Sequence, residues 1–547
     1  MATTDLNYHS YFCIFTKTES DTTCTNPFSA HEHASNGWVE GTNYEVVSSP
    51  DVEYDPTTGK VHLKAPGNYF IIANVGFQPN SFIAVSNLNT RLTMTKGASA
   101  GAVGGTSVNV GGSGSGSGVP FDSVVHYVTK VESDFFDGTS VRQEESSKYE
   151  VSVVLSGPGT YTAIEGTSLT IIKANGSFGN KIYKTDSNQQ EDEDYDLFDT
   201  SEGGTFHGTS DGVTINNSGQ FAPDATRKFL MLNTFFVESI SQPANLRHRL
   251  KIGSSNDEVI DYELAVATDP SCNVISYAKE VADSTFVRIN NGVSDSGEEA
   301  IKIKTGTALT LFDISNKGTD PSAYLSFTTT KDTDTFNNSS GDKNIFDQEN
   351  YGSNTITKND NLTASNITYA ADGGTFTVAL DGVYLVMLVL RVDSSEALSG
   401  SIPRDCDFNV TSGGTTTTYY VKKIGAVEET QNLTQLASVL VPLKAGDVLT
   451  FTVHDLEGKL EGDSNGGSSI TIIKMDEVGG SRDIFPKEAA SAQIGDDYTL
   501  NTLSRDVLGN QHDDLINKRV PVSTAQPGPR HLRGRLTSYN VTSGGKK

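Results

Sequence analysis

One pattern recurs along this chain: a turn, an alternating strand, a second turn containing glycine, then an aromatic-led apolar strand. It is clearest in YDPTTGKVHLKAPGNYFIIANVGF, Tyr54 to Phe77, and in YAADGGTFTVALDGVYLVMLVLRV, Tyr369 to Val392. NNSGQFAPDATRKFLMLNTFFV, Asn216 to Val237, is a degraded copy that keeps the second strand but loses the Gly-x-Tyr. A second signature, a short strand after a Gly/Ser turn, closes each unit: GTSLTIIKANG at Gly166–Gly176, PSAYLSFTTTK at Pro321–Lys331 and GSSITIIKMDE at Gly467–Glu477. Repetition at this period means similar units in tandem. The period-two alternation of runs such as Thr375 to Leu380 makes them units of strands rather than helices.

Composition agrees. Only 35% of the residues are hydrophobic and 52 are glycine, the mix of many short strands joined by turns. A chain of 547 residues exceeds a single core. The expected fold is therefore all-β: three tandem antiparallel β-sandwich domains of jelly-roll type over 1–176, 177–333 and 334–477, followed by an extended C-terminal arm over 478–547. Each unit carries roughly eight to ten strands, as two-sheet sandwiches do. The Gly/Ser stretch Gly104 to Gly118 reads as a flexible surface loop, because no helix follows it to make a phosphate cradle.

Charge divides the chain. The total is 41 − 68 = −27, which argues for solubility and against nucleic-acid binding. After Asp514 there is no acidic residue, but Lys518, Arg519, Arg530, Arg533, Arg535, Lys546 and Lys547 follow, leaving residues 1–514 at 34 − 68 = −34. The arm is opposite in sign to the body, and these seven cations are the candidate anchoring residues.

The sequence DGVYLVMLVL followed by LKAGDVLTFTV and SSITIIKMD resembles the core of the tumour-necrosis-factor-like and complement-globular-domain superfamily. Its landmarks are matched here by Gly382 and Tyr384 and by Gly446 and Asp447. The first unit keeps Gly67 and Tyr69 without a clear Gly-Asp turn, and the second keeps only Gly306. The resemblance implies ten-strand jelly rolls that assemble by threes, as a homotrimer or as a pseudo-trimer within one chain. Tyr384 and Tyr69 are then the expected oligomer-interface residues. Tandem domains of this kind, on a chain with no signal peptide and no apolar span, also resemble surface proteins of tailed phages and large viruses. The expected function is a virion surface structural protein, such as a capsid decoration, fibre or minor capsid component, made in a host cytoplasm, with other capsid proteins as partners of the arm. The alternative is an adhesin for a host receptor or glycan, with affinity in its apical loops.

Catalytic patterns are not found, and the expectation is no enzyme, no cofactor, no metal and no membrane contact. A glycan-degrading enzyme would need a converging carboxylate pair. His31-Glu32-His33 lacks a third ligand and reads as a solvated loop, and Trp38 as the tryptophan of an exposed turn. The acidic run Glu191 to Asp196, continuing to Asp199 and Glu202, lacks the turn spacing of a calcium loop and reads as a solvated segment. Asp455, Glu457 and Asp463 form a second acidic loop, for which calcium binding stays open. Cys13, Cys24, Cys272 and Cys406 form no CxxC pair, so neither a zinc site nor a disulfide framework follows, while a Cys13–Cys24 bridge stays open.

Overall fold

The computed structural model describes residues 10–475 apart from 22, 34–36, 50–51, 65, 80–84, 97–101, 113–120, 132–148, 158–159, 175, 191–193, 203, 241–243, 254–257, 267–270, 294–299, 316–322, 330–341, 349–357, 394–403, 425–431, 455–458 and 461–465. Among them every regular element is a strand, apart from the 3-10 turns Ala30–Glu32 and Thr200–Glu202. The chain is all-β, built of antiparallel sandwiches.

The third sandwich shows the plan. Its inner sheet runs Lys358–Ser365, Tyr324–Thr329, Ser469–Lys474, Gly382–Asp393 and Asn432–Leu443. Its outer sheet runs Ile367–Ala370, Thr375–Val378, Val448–His454, Arg404–Ser412 and Thr415–Ile424. The first sandwich repeats this order, with Tyr44–Ser48, Tyr11–Thr16, Ser168–Ala174, Gly67–Pro79 and Phe121–Val131 inside. So does the second, with Phe206–Asp211, Phe178–Tyr183, Ala308–Asp313, Arg227–Ser239 and Ser271–Val281.

Two expectations change. Tyr324–Thr329 does not close the second unit; it pairs with Ser469–Lys474 and opens the third, so the boundary falls before Tyr324 rather than at 333. The second unit is closed by Ala308–Asp313. The error has a physical source: first and last strands are neighbours in the same sheet, and both are short, apolar runs after turns. The Gly/Ser stretch is not all loop. Ala102–Gly112 is a strand paired along Val85–Lys96 at the edge of the outer sheet, and 113–118 lie outside the described residues. Backbone pairing across a long hairpin satisfies the amides whatever the side chains.

Strand parity assigns the two faces of each inner sheet. In the first sandwich Tyr69, Ile71 and Ala73 pack with Val61, Leu92 and Val151 of the opposite sheet. Phe70 and Ile72 point the other way, into a cluster with Leu230, Leu232 and Phe312 of the second sandwich. Each inner sheet is apolar on both faces because it is covered on both.

Candidate functional site

The strands that follow the repeat signature, Phe121–Val131, Ser271–Val281 and Asn432–Leu443, hold the sandwiches together. Each lies on the inner sheet of the next: the first on Phe178–Tyr183, Arg227–Ser239 and Ala308–Asp313, the second on Tyr324–Thr329, Lys358–Ser365, Gly382–Asp393 and Ser469–Lys474. Asn432–Leu443 returns to Tyr11–Thr16, Tyr44–Ser48, Gly67–Pro79 and Ser168–Ala174. Three seams therefore run from first to second, second to third and third to first.

Equivalent residues of the three strands, His126, Ser276 and Ser438, each make a polar contact across their seam. His126 Nδ1 lies 2.9 Å from Thr310 Oγ1, Ser469 Oγ donates to the Ser276 carbonyl at 3.1 Å, and Thr170 Oγ1 donates to the Ser438 carbonyl at 3.0 Å. The rings of Phe70 and Phe312 meet at 5.2 Å across the first seam. In two seams an edge tyrosine also reaches the turn before the next sandwich's closing strand: Tyr262 Oη donates to the Gly467 carbonyl at 3.3 Å and Tyr420 Oη to the Gly166 carbonyl at 2.6 Å. Ala102–Gly112, the corresponding strand of the first sandwich, contains no tyrosine.

Charge is buried in two of the seams. Arg391 is fully buried; it donates to the Gly466 carbonyl at 2.6 Å and the Glu263 carbonyl at 3.0 Å, and its guanidinium lies 4.8 Å from the centre of the Tyr262 ring. In the third seam Lys422 Nζ lies 2.5 Å from Asp122 Oδ1 and donates to Asn74 Oδ1 at 3.3 Å. Burial holds the Asp122 carboxyl above its ordinary range, against the pull of Lys422. Beside them Lys423 joins Asp405 of its own sandwich at 2.7 Å to Glu165 of the first at 3.7 Å.

Tyr69 and Tyr384 are not seam residues, contrary to the expectation. Tyr69 packs inside its own sandwich. Tyr384 is fully buried and its hydroxyl donates to the Leu380 carbonyl at 2.7 Å. It stands an odd number of positions from Arg391, whose side chain reaches the second sandwich, and so faces the other way. The seven cations of the arm, Lys518, Arg519, Arg530, Arg533, Arg535, Lys546 and Lys547, lie outside the described residues, as do Asp455, Glu457 and Asp463.

The loop residues also settle differently. His33 is buried, with Nε2 2.7 Å from the Pro27 carbonyl, and its ring sits 3.8 Å from that of Trp38. Trp38 stacks in turn on Tyr44 at 4.2 Å and is half-buried. Asp194 pairs with Arg249 at 2.5 Å, and Asp196 lies 3.5 Å from Arg288 and accepts from Gln220 at 3.1 Å. All four cysteines are free thiols, so Cys13 and Cys24 do not bridge. Burial pushes Cys13 up to about 11 and Cys24 up to about 12, which keeps both protonated at neutral pH.

Fold and seams together define a class: a chain of three tandem jelly-roll sandwiches joined cyclically through their inner sheets. No family model matches the sequence, and no curated protein does. Solved structures match over less than a third of the chain. Murine APRIL at pH 8.5 aligns at 12% identity over 28% of this chain and 98% of its own, with a TM-score of 0.20. Murine APRIL at pH 5.0 aligns at 11% over 28% and 98%, TM-score 0.21. The Eiger TNF of S. frugiperda aligns at 15% over 30% and 96%, TM-score 0.19.

Proposed function

We propose that this chain is a non-catalytic structural protein of a virion surface, a capsid decoration, fibre or minor capsid component, and that it is a pseudo-trimer complete within one chain. The observation that carries the reading is that every inner sheet is used in a seam of the chain itself. What is left to meet other molecules is outer sheets, loops and the arm. Of these, the arm is distinct in charge: seven cations and no acid after Asp514, against −34 in the rest. Such an arm suits docking along an acidic neighbouring surface, each exposed contact contributing about 0.2–1 kcal/mol and weakening with salt.

The test is attachment to virus particles prepared from the source of the chain, comparing the full chain with one ending at residue 517. The full chain should bind with an affinity that falls as salt rises, and the truncated one should lose both the affinity and the salt dependence. Unchanged attachment by the truncated chain removes the arm as anchor.

A further inference from the structure

Three side chains from three strands converge in the seam that returns from the third sandwich to the first. Asn74 on Gly67–Pro79 is fully buried and Lys422 on Thr415–Ile424 is 1% exposed. The Asp122 side chain, on Phe121–Val131, is 8% exposed. Asp122 pairs with Gly76, so Asn74, two residues away, presents its carboxamide on the same face as the carboxyl. The nitrogen end of that carboxamide donates to the Leu436 carbonyl. This turns its oxygen toward Lys422 Nζ, which stands between Asn74 Oδ1 at 3.3 Å and Asp122 Oδ1 at 2.5 Å. Asp122 Oδ2 is buried and accepts no hydrogen bond among the described residues.

A buried ion pair needs an ammonium and a carboxylate. It does not need a carboxamide fixed at one end and aimed at the same nitrogen. Amine, carboxamide and carboxyl together are the parts of an aminolysis: a desolvated nucleophile, an acyl group and a proton carrier held in contact, where enforced proximity replaces a bimolecular encounter.

We propose that Lys422 and Asn74 are joined by an isopeptide bond, with Asp122 as its acid–base group. Lys422 first passes the ammonium proton to Asp122, leaving a neutral amine beside a carboxylic acid. The amine nitrogen attacks Cγ of Asn74, forming the Nζ–Cγ bond while the carboxylic acid hydrogen-bonds the carbonyl oxygen. Asp122 then relays protons to Nδ2, the Cγ–Nδ2 bond breaks, and ammonia leaves. Nothing is oxidised or reduced. Of the nearby titratable groups, Tyr420, Cys272 and Cys406 are held neutral by burial, while Lys423 is paired with Asp405 and Glu165.

The position gives the bond a role. Peptide bonds already connect the first sandwich to the second and the second to the third, whereas the third meets the first without one. A link between residues 348 apart in sequence closes the ring covalently at that seam.

Intact mass spectrometry of the purified full chain is the test. The mass should be one ammonia below that required by the sequence, and proteolysis should release a branched peptide containing Asn74 and Lys422. Lys422→Arg and Asp122→Ala should each return the full mass. A wild-type chain of full mass overturns the proposal. A deficit of one water, mapped to Lys422 and Asp122, overturns the assignment to Asn74, and an ammonia deficit persisting in Asp122→Ala overturns the role of that carboxyl. The wild-type measurement stands even if a variant does not fold.

Discussion

Acid should open this protein through three histidines buried without charge. His126, His248 and His33 are each held down by burial, His126 to about 3 and the other two to about 4, from 6.5. His126 lies in the first seam beside Thr310, and His248 sits between the side-chain amides of Asn291 at 2.6 Å and Asn233 at 2.7 Å. Unfolded, each takes a proton near pH 6.5; folded, none does until about pH 4 or below. The unfolded state therefore binds more protons across that window, and stability falls as pH falls. At pH 5 each histidine costs about 2 kcal/mol, at 1.36 kcal/mol per pH unit over the unit and a half below 6.5. Three together cost about 6 kcal/mol, comparable with the 5–15 kcal/mol of a typical fold. His454 acts in the opposite direction: burial works against its charge, but hydrogen bonds to Asp342 and Asp407 carry it above the ordinary value, so its contribution is full in acid and lost as pH rises. Denaturant unfolding followed from pH 8 to pH 4.5 should show stability falling with a slope near three protons below pH 6, reduced by about one in His248→Gln. A slope unchanged by that substitution, with the variant folded, refutes the reasoning.

Substitutions at two seam positions follow from the same geometry. Arg391→Met leaves the Gly466 and Glu263 carbonyls without their cation and should cost about 2–4 kcal/mol in denaturant titration; Arg391→Lys should recover less than half, since an ammonium does not reproduce the planar fork. Gly166→Ala would place a Cβ 2.3 Å from the Val421 carbonyl oxygen at a φ of +83°, so it should cost about 2–4 kcal/mol, whereas Gly413→Ala, with open space around it, should cost about 1 kcal/mol from backbone strain alone.

Much of the fold was legible because strand periodicity is local. The Gly-x-Tyr strands at Gly67 and Gly382 and the closing strands at Ser168 and Ser469 occupy equivalent places in their sheets. Errors arose where neighbouring strands look alike in composition, as with Tyr324–Thr329, or where a one-residue change of parity swaps a core face for a seam face, as with Tyr384. The third seam was illegible for another reason: Asn74, Asp122 and Lys422 lie on separate strands, 348 and 300 residues from partner to partner, and each is an ordinary polar residue in its own strand. Arg391 stands at the end of an apolar strand, and only the packing of Glu258–Val266 against it shows why it is buried.

Joining three sandwiches in one polypeptide also changes what the surface offers. In a trimer of identical chains any patch is displayed three times, and weak contacts gain from multivalency. Here the outer strand Thr415–Ile424 of the third sandwich presents exposed threonines from Thr415 to Thr418, while the first sandwich's outer sheet carries Lys60 paired with Glu150. Each such patch exists once per chain. Within one chain a partner reading one of them gains no avidity from the other two, and each face is free to diverge without disturbing its counterparts.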